Sequence, residues 1–251
     1  MLVPAEANAG IVFVLGEGEV VAATSDHAVR GERGTGLGRG EARVGSVEHL
    51  LAALYGMQVD NVRVEVEGPE VPACDGSARE WVGALREAGR RRQGERRGVR
   101  RLGEAVWAGS GEAWAVAAPG NGGLSLAVGV EYEGTVAGRQ GLWMRLSRGE
   151  FMRELAPART FALEEEVEAL RARGLARGGS ADNAFAVGVD SYSGPLRFAD
   201  EVVRHKMLDL VGDLALCGER FEGQVTAVRP SHRLNVELAR ALRARFLGEG
   251  E

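Results

Sequence analysis

The chain has 251 residues, enough for one large domain or two of ordinary size, and 45% of them are hydrophobic, enough for a core. A formal net charge of -5 argues against indiscriminate nucleic-acid binding, and no apolar run is long enough to span a bilayer. Cys74 and Cys217 stand alone, which argues against a thiolate zinc knuckle and suits a reducing cytosol. The N-terminus lacks the basic start and apolar centre of a secretion signal, so a cytoplasmic protein is expected.

Alternation predicts strands over 11–14 and 20–22, followed by a Gly/Arg-rich loop over 31–40. Ser46 has the chemistry of an N-cap for a helix over 47–55, with Gly56 closing it. Residues 61–67 alternate strictly and read as a strand with one buried face. Asp75-Gly76-Ser77 is a turn opening a helix over 78–88. The arginine-rich stretch from Arg90 to Arg101 contains Gly94 and Gly98 and reads as a solvated linker. It sets expected domains at 1–90 and 102–251, joined by residues 91–101. Beyond it, strands are expected over 113–118, 124–132, 184–189 and 224–228. Helices are expected from Ser147 or Arg148 to Leu155, and over 163–173, 200–217 and 235–246.

Two of these helices share a pattern. Val47 to Gly56 and Val203 to Gly212 both read V-x-H-x-(L/M)-x-x-L-x-G, so the halves look related and each carries a histidine at the same place. In the second copy His205 and Asp209 lie at i and i+4, on one helix face. With His49 they form a set of two imidazoles and one carboxylate that leaves a fourth position for water. Such a set suits catalytic zinc, and ferrous iron also accepts it. Glu48 points about 100° away from His49 on a helix, so it is better placed to act on the water as a general base than to share the metal. His232 sits in Arg229-Pro230-Ser231-His232, just before the last helix. A loop histidine there can be a general acid or an oxyanion stabiliser. Asp213, one further turn along the His205/Asp209 face, can hold it as an oriented imidazolium. Lys206 is the only lysine among 31 basic residues. A chain that uses arginine everywhere else keeps a compact ammonium here.

Together these residues resemble the UDP-3-O-acyl-N-acetylglucosamine deacetylase family, zinc amidases of lipid A synthesis. The matching blocks are Ser46-Val47-Glu48-His49-Leu50, Val71 through Ala78, Ala158-Arg159-Thr160-Phe161, Arg173 through Ser180, Leu196 through Asp213, and Ser231-His232-Arg233-Leu234-Asn235. The resemblance implies an α+β fold of two similar two-layer domains, with helices sandwiched between two sheets and zinc at the domain junction. It implies that His49, His205 and Asp209 bind the zinc. Glu48 would be the base, with His232 its charged partner and the acid for the amine. Thr160 would donate to the tetrahedral oxyanion, and Lys206 would add positive charge near the substrate. Phe161 and Arg229 would lie in the nucleotide region, and the stretch over 163–186, with Gly179 and Ser180, would take the fatty acyl chain.

The implied partner is a UDP-sugar carrying that acyl chain, with no nucleic acid and at most peripheral membrane contact; a monomer is expected. There are departures from the family pattern. The chain begins after the family's first strand and its G-x-G-L-H-x-G turn, so an upstream start or a smaller first sheet is expected. Phe161-Ala162-Leu163 replaces F-G-F, Ala181 stands where an aromatic is common, and Arg229 replaces a lysine. The competing readings are a zinc amidase for another N-acyl sugar nucleotide, a non-catalytic binding module that keeps the fold, and an RNA-binding domain. Retention of Glu48, His232 and Lys206 speaks against the binding module, and the acidic net charge against RNA.

Overall fold

Two mixed sheets carry the fold, and in the central strands buried and more exposed side chains alternate. The computed structural model describes residues 1–16, 18–31, 34–167 and 183–248. The first half contributes β1 (Leu2–Pro4), β2 (Ile11–Leu15), β3 (Glu19–Ala22), β4 (Ala28–Arg30), β5 (Thr35–Arg39), β6 (Ala42–Val44), α1 (Glu48–Gly56), β7 (Val62–Val66) and α2 (Arg79–Ala88). The second contributes β8 (Arg100–Arg101), β9 (Val106–Ser110), β10 (Ala113–Ala118), β11 (Leu124–Tyr132), β12 (Gly138–Arg145), β13 (Thr160–Leu163), β14 (Ala184–Val187), α3 (Glu201–Leu214), β15 (Phe221–Val228) and α4 (His232–Gly248). The class is α+β.

The repeat seen in two helices extends to the strand pairing. The first sheet runs β1-β7-β2-β3 and the second runs β12-β11-β15-β10-β9. In the first, β2 forms an antiparallel pair with β3, crosses over through α1, and is joined in parallel by β7, which pairs antiparallel with β1. In the second, β11 pairs with β12, crosses over through α3, and is joined in parallel by β15, which pairs antiparallel with β10. The two sheets therefore repeat strand for strand, with β9 added at one edge and the short β8, at the end of the expected linker, pairing in parallel with the start of β15. Each repeat also carries an insertion just before its histidine-bearing helix. In the first it is the small sheet β4-β5-β6; in the second it includes a helical turn over 148–155 and the parallel pair β13-β14.

The core lies between the sheets. Phe13, Leu15, Val21, Val62 and Val64 of the first sheet join one apolar cluster with Leu50, Leu51 and Leu54 of α1. Val203, Met207, Leu210 and Leu214 of α3 and Leu126, Val128 and Val225 of the second sheet belong to the same cluster. The helices α1 and α3 pack directly on each other, α3 also lies on β11 and β12, and α4 covers β9 and β10. Residues 90–99 carry neither helix nor strand. They are tied down by Arg90 donating to the Met57 carbonyl at 2.7 Å, Gln93 donating to the Ala5 carbonyl at 2.9 Å, and Arg97 pairing with Asp60 at 3.1 Å.

Several elements differ from the sequence expectation. Residues 35–39 of the expected loop are strand β5, in which Thr35 and Leu37 are buried; the glycines between them hid the alternation. Ser46 does not cap α1. Its φ is +58°, the helix starts at Glu48, and the Val47 N–H is taken by the Thr35 carbonyl at 3.0 Å. Gly56 is the last residue inside α1, where an added Cβ would lie 2.3 Å from the Phe151 ring, so close packing explains the glycine and capping does not. The helix expected up to Leu155 is three α-helical residues followed by a π turn over Phe151–Leu155. The helix expected over 163–173 and Ala181 fall largely or wholly outside the described residues.

Candidate metal centre and catalytic cluster

The site lies where α1 crosses α3. The crossing is tight because Gly212 has no side chain: a Cβ there would lie 2.1 Å from the Glu48 carbonyl oxygen. That approach brings the first turn of α1 beside the middle of α3. The His49 and His205 rings meet edge to face, 5.0 Å between centroids. The ligand atoms of His49, His205 and Asp209 all lie within 4.8 Å of one another.

The carboxylate of Asp209 is the centre of this cluster. Oδ1 faces His49 Nε2 at 3.4 Å and His205 Nε2 at 3.3 Å. It is buried, and among the described residues it has no hydrogen bond of good geometry. A buried carboxylate oxygen left this way between two imidazole nitrogens fits a cation. Tautomer supports the same conclusion. His205 Nδ1 lies 3.1 Å from the Ala158 carbonyl, which can only accept, so Nδ1 carries the hydrogen and Nε2 keeps its lone pair toward Asp209. Burial pushes the His205 pKa down to about 4, which keeps the ring neutral. Burial also opposes the charge of Asp209, but His205, Lys206 and His232 outweigh it and hold the carboxyl well below its ordinary value.

The Ala158 carbonyl is itself held in place. Arg159 donates from its backbone N–H to Glu201 Oε1 at 2.9 Å and from Nε to the same oxygen at 3.0 Å, so residues 158–160 are clamped to the first turn of α3. Arg197 adds bonds to the Pro157 carbonyl at 2.8 Å and to Asp75 Oδ2 at 2.9 Å.

Around the cluster stand the other candidates. Lys206 Nζ donates to Asp209 Oδ2 at 2.7 Å. Asp213 Oδ2 accepts from His232 Nδ1 at 3.0 Å and from Asn235 Nδ2 at 2.9 Å. His232 Nε2 lies 3.8 Å from Asp209 Oδ2, so the ring faces the cluster. Burial disfavours its charge, but Asp213 and Asp209 win and raise its pKa to about 9. Glu48 is buried, which raises its pKa above the ordinary carboxylate value despite His49 and His232 nearby. Its Oε2 accepts the Thr35 N–H at 2.9 Å.

Thr160 begins β13, its N–H bonded to the Gly76 carbonyl at 2.8 Å. The Phe161 ring lies 6.1 Å from that of His205 and 5.4 Å from that of Tyr132. Arg229 lies three residues before His232. It pairs with Glu131 and Glu112 beside a cleft of about 380 Å³ lined by Val130, Glu131, Tyr132, Glu133, Arg229 and Pro230. Gly179 and Ser180 lie outside the described residues. Sequence reasoning missed Thr35, Asn235, and the Arg159–Glu201 pair as parts of this site. Asn235 stands three residues after His232, a helical spacing that could have marked it. Thr35 offered no comparable signal.

The chain is similar, over residues 1–244, to the family model of UDP-3-O-acyl N-acetylglycosamine deacetylase. A UDP-3-O-acyl-N-acetylglucosamine deacetylase of Anaeromyxobacter sp. is 42% identical over 97% of this chain and 81% of its own length. The protein of that name from Trichormus variabilis is 40% identical over 97% of this chain and 90% of its own. The one from Thermosynechococcus vestitus is 42% identical over 96% and 85%.

Proposed function

We infer the reaction of this site from one premise: the chain belongs to the UDP-3-O-acyl N-acetylglycosamine deacetylase family. It is a metal-dependent hydrolase of the lipid A pathway that removes the N-acetyl group from UDP-3-O-acyl-N-acetylglucosamine, releasing acetate and the free amine. The observation that carries the reading is the largely buried cluster, the one of its kind among the described residues, in which two imidazole nitrogens and one carboxylate oxygen face each other, flanked by Glu48 and the His232–Asp213 pair.

His49, His205 and Asp209 would hold the ion, and two nitrogens with one oxygen suit zinc, ferrous iron being the alternative. When bound, the ion supplies Lewis acidity, polarising the amide carbonyl and making water acidic enough to react near neutral pH. Glu48 takes the proton from the attacking water as the carbonyl carbon is added to. Thr160 donates its hydroxyl hydrogen to the developing oxyanion, and Lys206 adds positive charge beside it. His232, held as an imidazolium by Asp213, gives a proton to the leaving nitrogen as the C–N bond breaks. Phe161, Arg229 and the cleft beside Glu131 would receive the nucleotide, and residues around 163–186, with Gly179 and Ser180, the acyl chain. No helix among the described residues is long and apolar enough to cross a membrane. A monomer acting in the cytoplasm, with at most peripheral membrane contact, completes the reading.

The test is amine release from the UDP-sugar by the purified, metal-loaded protein, alongside the His205→Ala variant. Loss of both bound metal and turnover in the variant is expected. Absence of amine release by the metal-replete wild type would sink the proposal, and undiminished metal content in His205→Ala would remove that ligand.

A further inference from the structure

A threonine outside both histidine-bearing helices ties the two proton-handling arms of the site together. Thr35 opens β5 and is 2% exposed. Its N–H donates to Glu48 Oε2 at 2.9 Å, and its hydroxyl donates to Asp213 Oδ1 at 2.5 Å. Its carbonyl accepts the Val47 N–H at 3.0 Å, so the same residue fixes the start of α1. The preceding Gly34 lets backbone lie against the carboxylate, because a Cβ there would stand 2.4 Å from Glu48 Oε1. On the other arm the two oxygens of Asp213 are divided. Oδ2 serves His232 and Asn235, while Oδ1 serves Thr35. A buried carboxylate bound on both oxygens by three donors has one orientation, and it passes that orientation to the imidazole.

We propose that Thr35 is a positioning residue for deacetylation: its N–H aims Glu48, and its hydroxyl aims Asp213 and through it His232. Proton acceptor and proton donor are then set against each other by one residue from the first-half insertion. This rests on the reading of Glu48 as base and His232 as acid. The hydroxyl is the testable arm, since every substitution except proline keeps the N–H. Valine copies the shape of threonine but turns a methyl toward Asp213 and leaves Oδ1 without its donor, whereas serine keeps the donor.

The experiment compares Thr35→Ser, Thr35→Val and Thr35→Ala with wild type, Glu48→Gln and His232→Gln in steady-state deacetylation, with bound metal measured in each. Serine should keep kcat within about threefold, while valine and alanine should lose at least about tenfold in kcat with KM within about twofold and metal unchanged. A second readout needs no turnover. In the metal-free protein the Nδ1 proton of His232 should resonate far downfield in wild type and Thr35→Ser, and shift upfield in Thr35→Val and Thr35→Ala. If valine does not fold, alanine, which leaves space for water, carries the same test. Wild-type kcat in both variants, with His232→Gln impaired, would overturn the role of Thr35 alone. Loss of metal in parallel with kcat would also overturn it, because the effect would then be structural. Undiminished kcat in both Glu48→Gln and His232→Gln would instead bring down the acid–base reading on which the proposal rests.

Discussion

Lys206 shows how much one side chain's shape can decide. Its ammonium donates to Asp209 Oδ2 at 2.7 Å, and its side chain is 12% exposed. Burial opposes its charge, but Asp209 and Tyr132 more than compensate and hold its pKa above the ordinary lysine value. Arginine would bring a wider, planar fork to a place that admits a point charge. Lys206→Arg should keep fold and metal content yet lose at least about tenfold in kcat/KM, or roughly 1.4 kcal/mol of transition-state stabilisation. Steady-state kinetics at matched zinc decide this, and equal efficiencies would make the lone lysine a compositional leftover. The proposed acid and base predict a pH profile. Glu48 must be ionised, so activity falls as pH drops through a value that burial has raised. His232 must be protonated, so activity falls again as pH climbs past about 9. Glu48→Gln should lose the acidic limb. Asp213→Asn, which removes the chief neighbour raising His232, should move the basic limb to lower pH. A basic limb unmoved in that variant would take His232 out of the role of acid.

The crossing of α1 and α3 turns a sequence pattern into a site. The shared motif placed a glycine at the same position in both helices, and the two glycines do different work. Gly212 admits the Glu48 carbonyl of α1, whereas Gly56 admits the Phe151 ring. Gly212→Ala must push the helices apart, since its Cβ would meet the Glu48 oxygen at 2.1 Å and the Ala52 nitrogen at 3.2 Å. It should cost about 1–3 kcal/mol in urea unfolding and should lower activity as well, because Glu48 moves with the backbone. An unchanged unfolding midpoint would mean that the crossing has slack. These helices were legible in the sequence because 3.6-residue periodicity and helical spacing by themselves put His205, Asp209 and Asp213 on one face. Strand β11 was legible over its full length for the matching reason, an alternation of period two, and β10 as a short apolar run bounded by Gly111-Glu112 and Pro119-Gly120. Strand β5 was hidden because glycines occupy its alternate positions and supply no apolar signal. Strand β12 was hidden because it is an edge strand in which only Met144 is buried. The hydrogen bonds of Thr35 to Glu48 and Asp213 join residues that only the tertiary fold brings together, so no local pattern could reveal them.

As a whole, the molecule is two copies of one sheet-and-helix unit facing each other, with the proposed site at the seam. The first copy supplies Thr35, Glu48 and His49; the second supplies Thr160, His205, Lys206, Asp209, Asp213 and His232. In the proposed ligand set neither half is complete, because His49 comes from one and His205 and Asp209 from the other. A divalent ion seated between them is therefore a cross-link between halves. An ion that binds only the folded state stabilises it by an amount that grows with its free concentration, about 4.1 kcal/mol at a thousand times Kd. The contiguous core and the direct α1–α3 contact predict one cooperative unfolding transition for both halves. The midpoint of that single transition should rise steadily as buffered zinc is increased over the metal-free protein. In His49→Ala and in His205→Ala the midpoint should stay nearly flat over the same range, although each substitution removes a ligand from a different half. Calorimetry with buffered zinc makes the measurement. Two separate transitions, only one of them sensitive to zinc, would place the ion within one half and break the view of the seam as the metal centre.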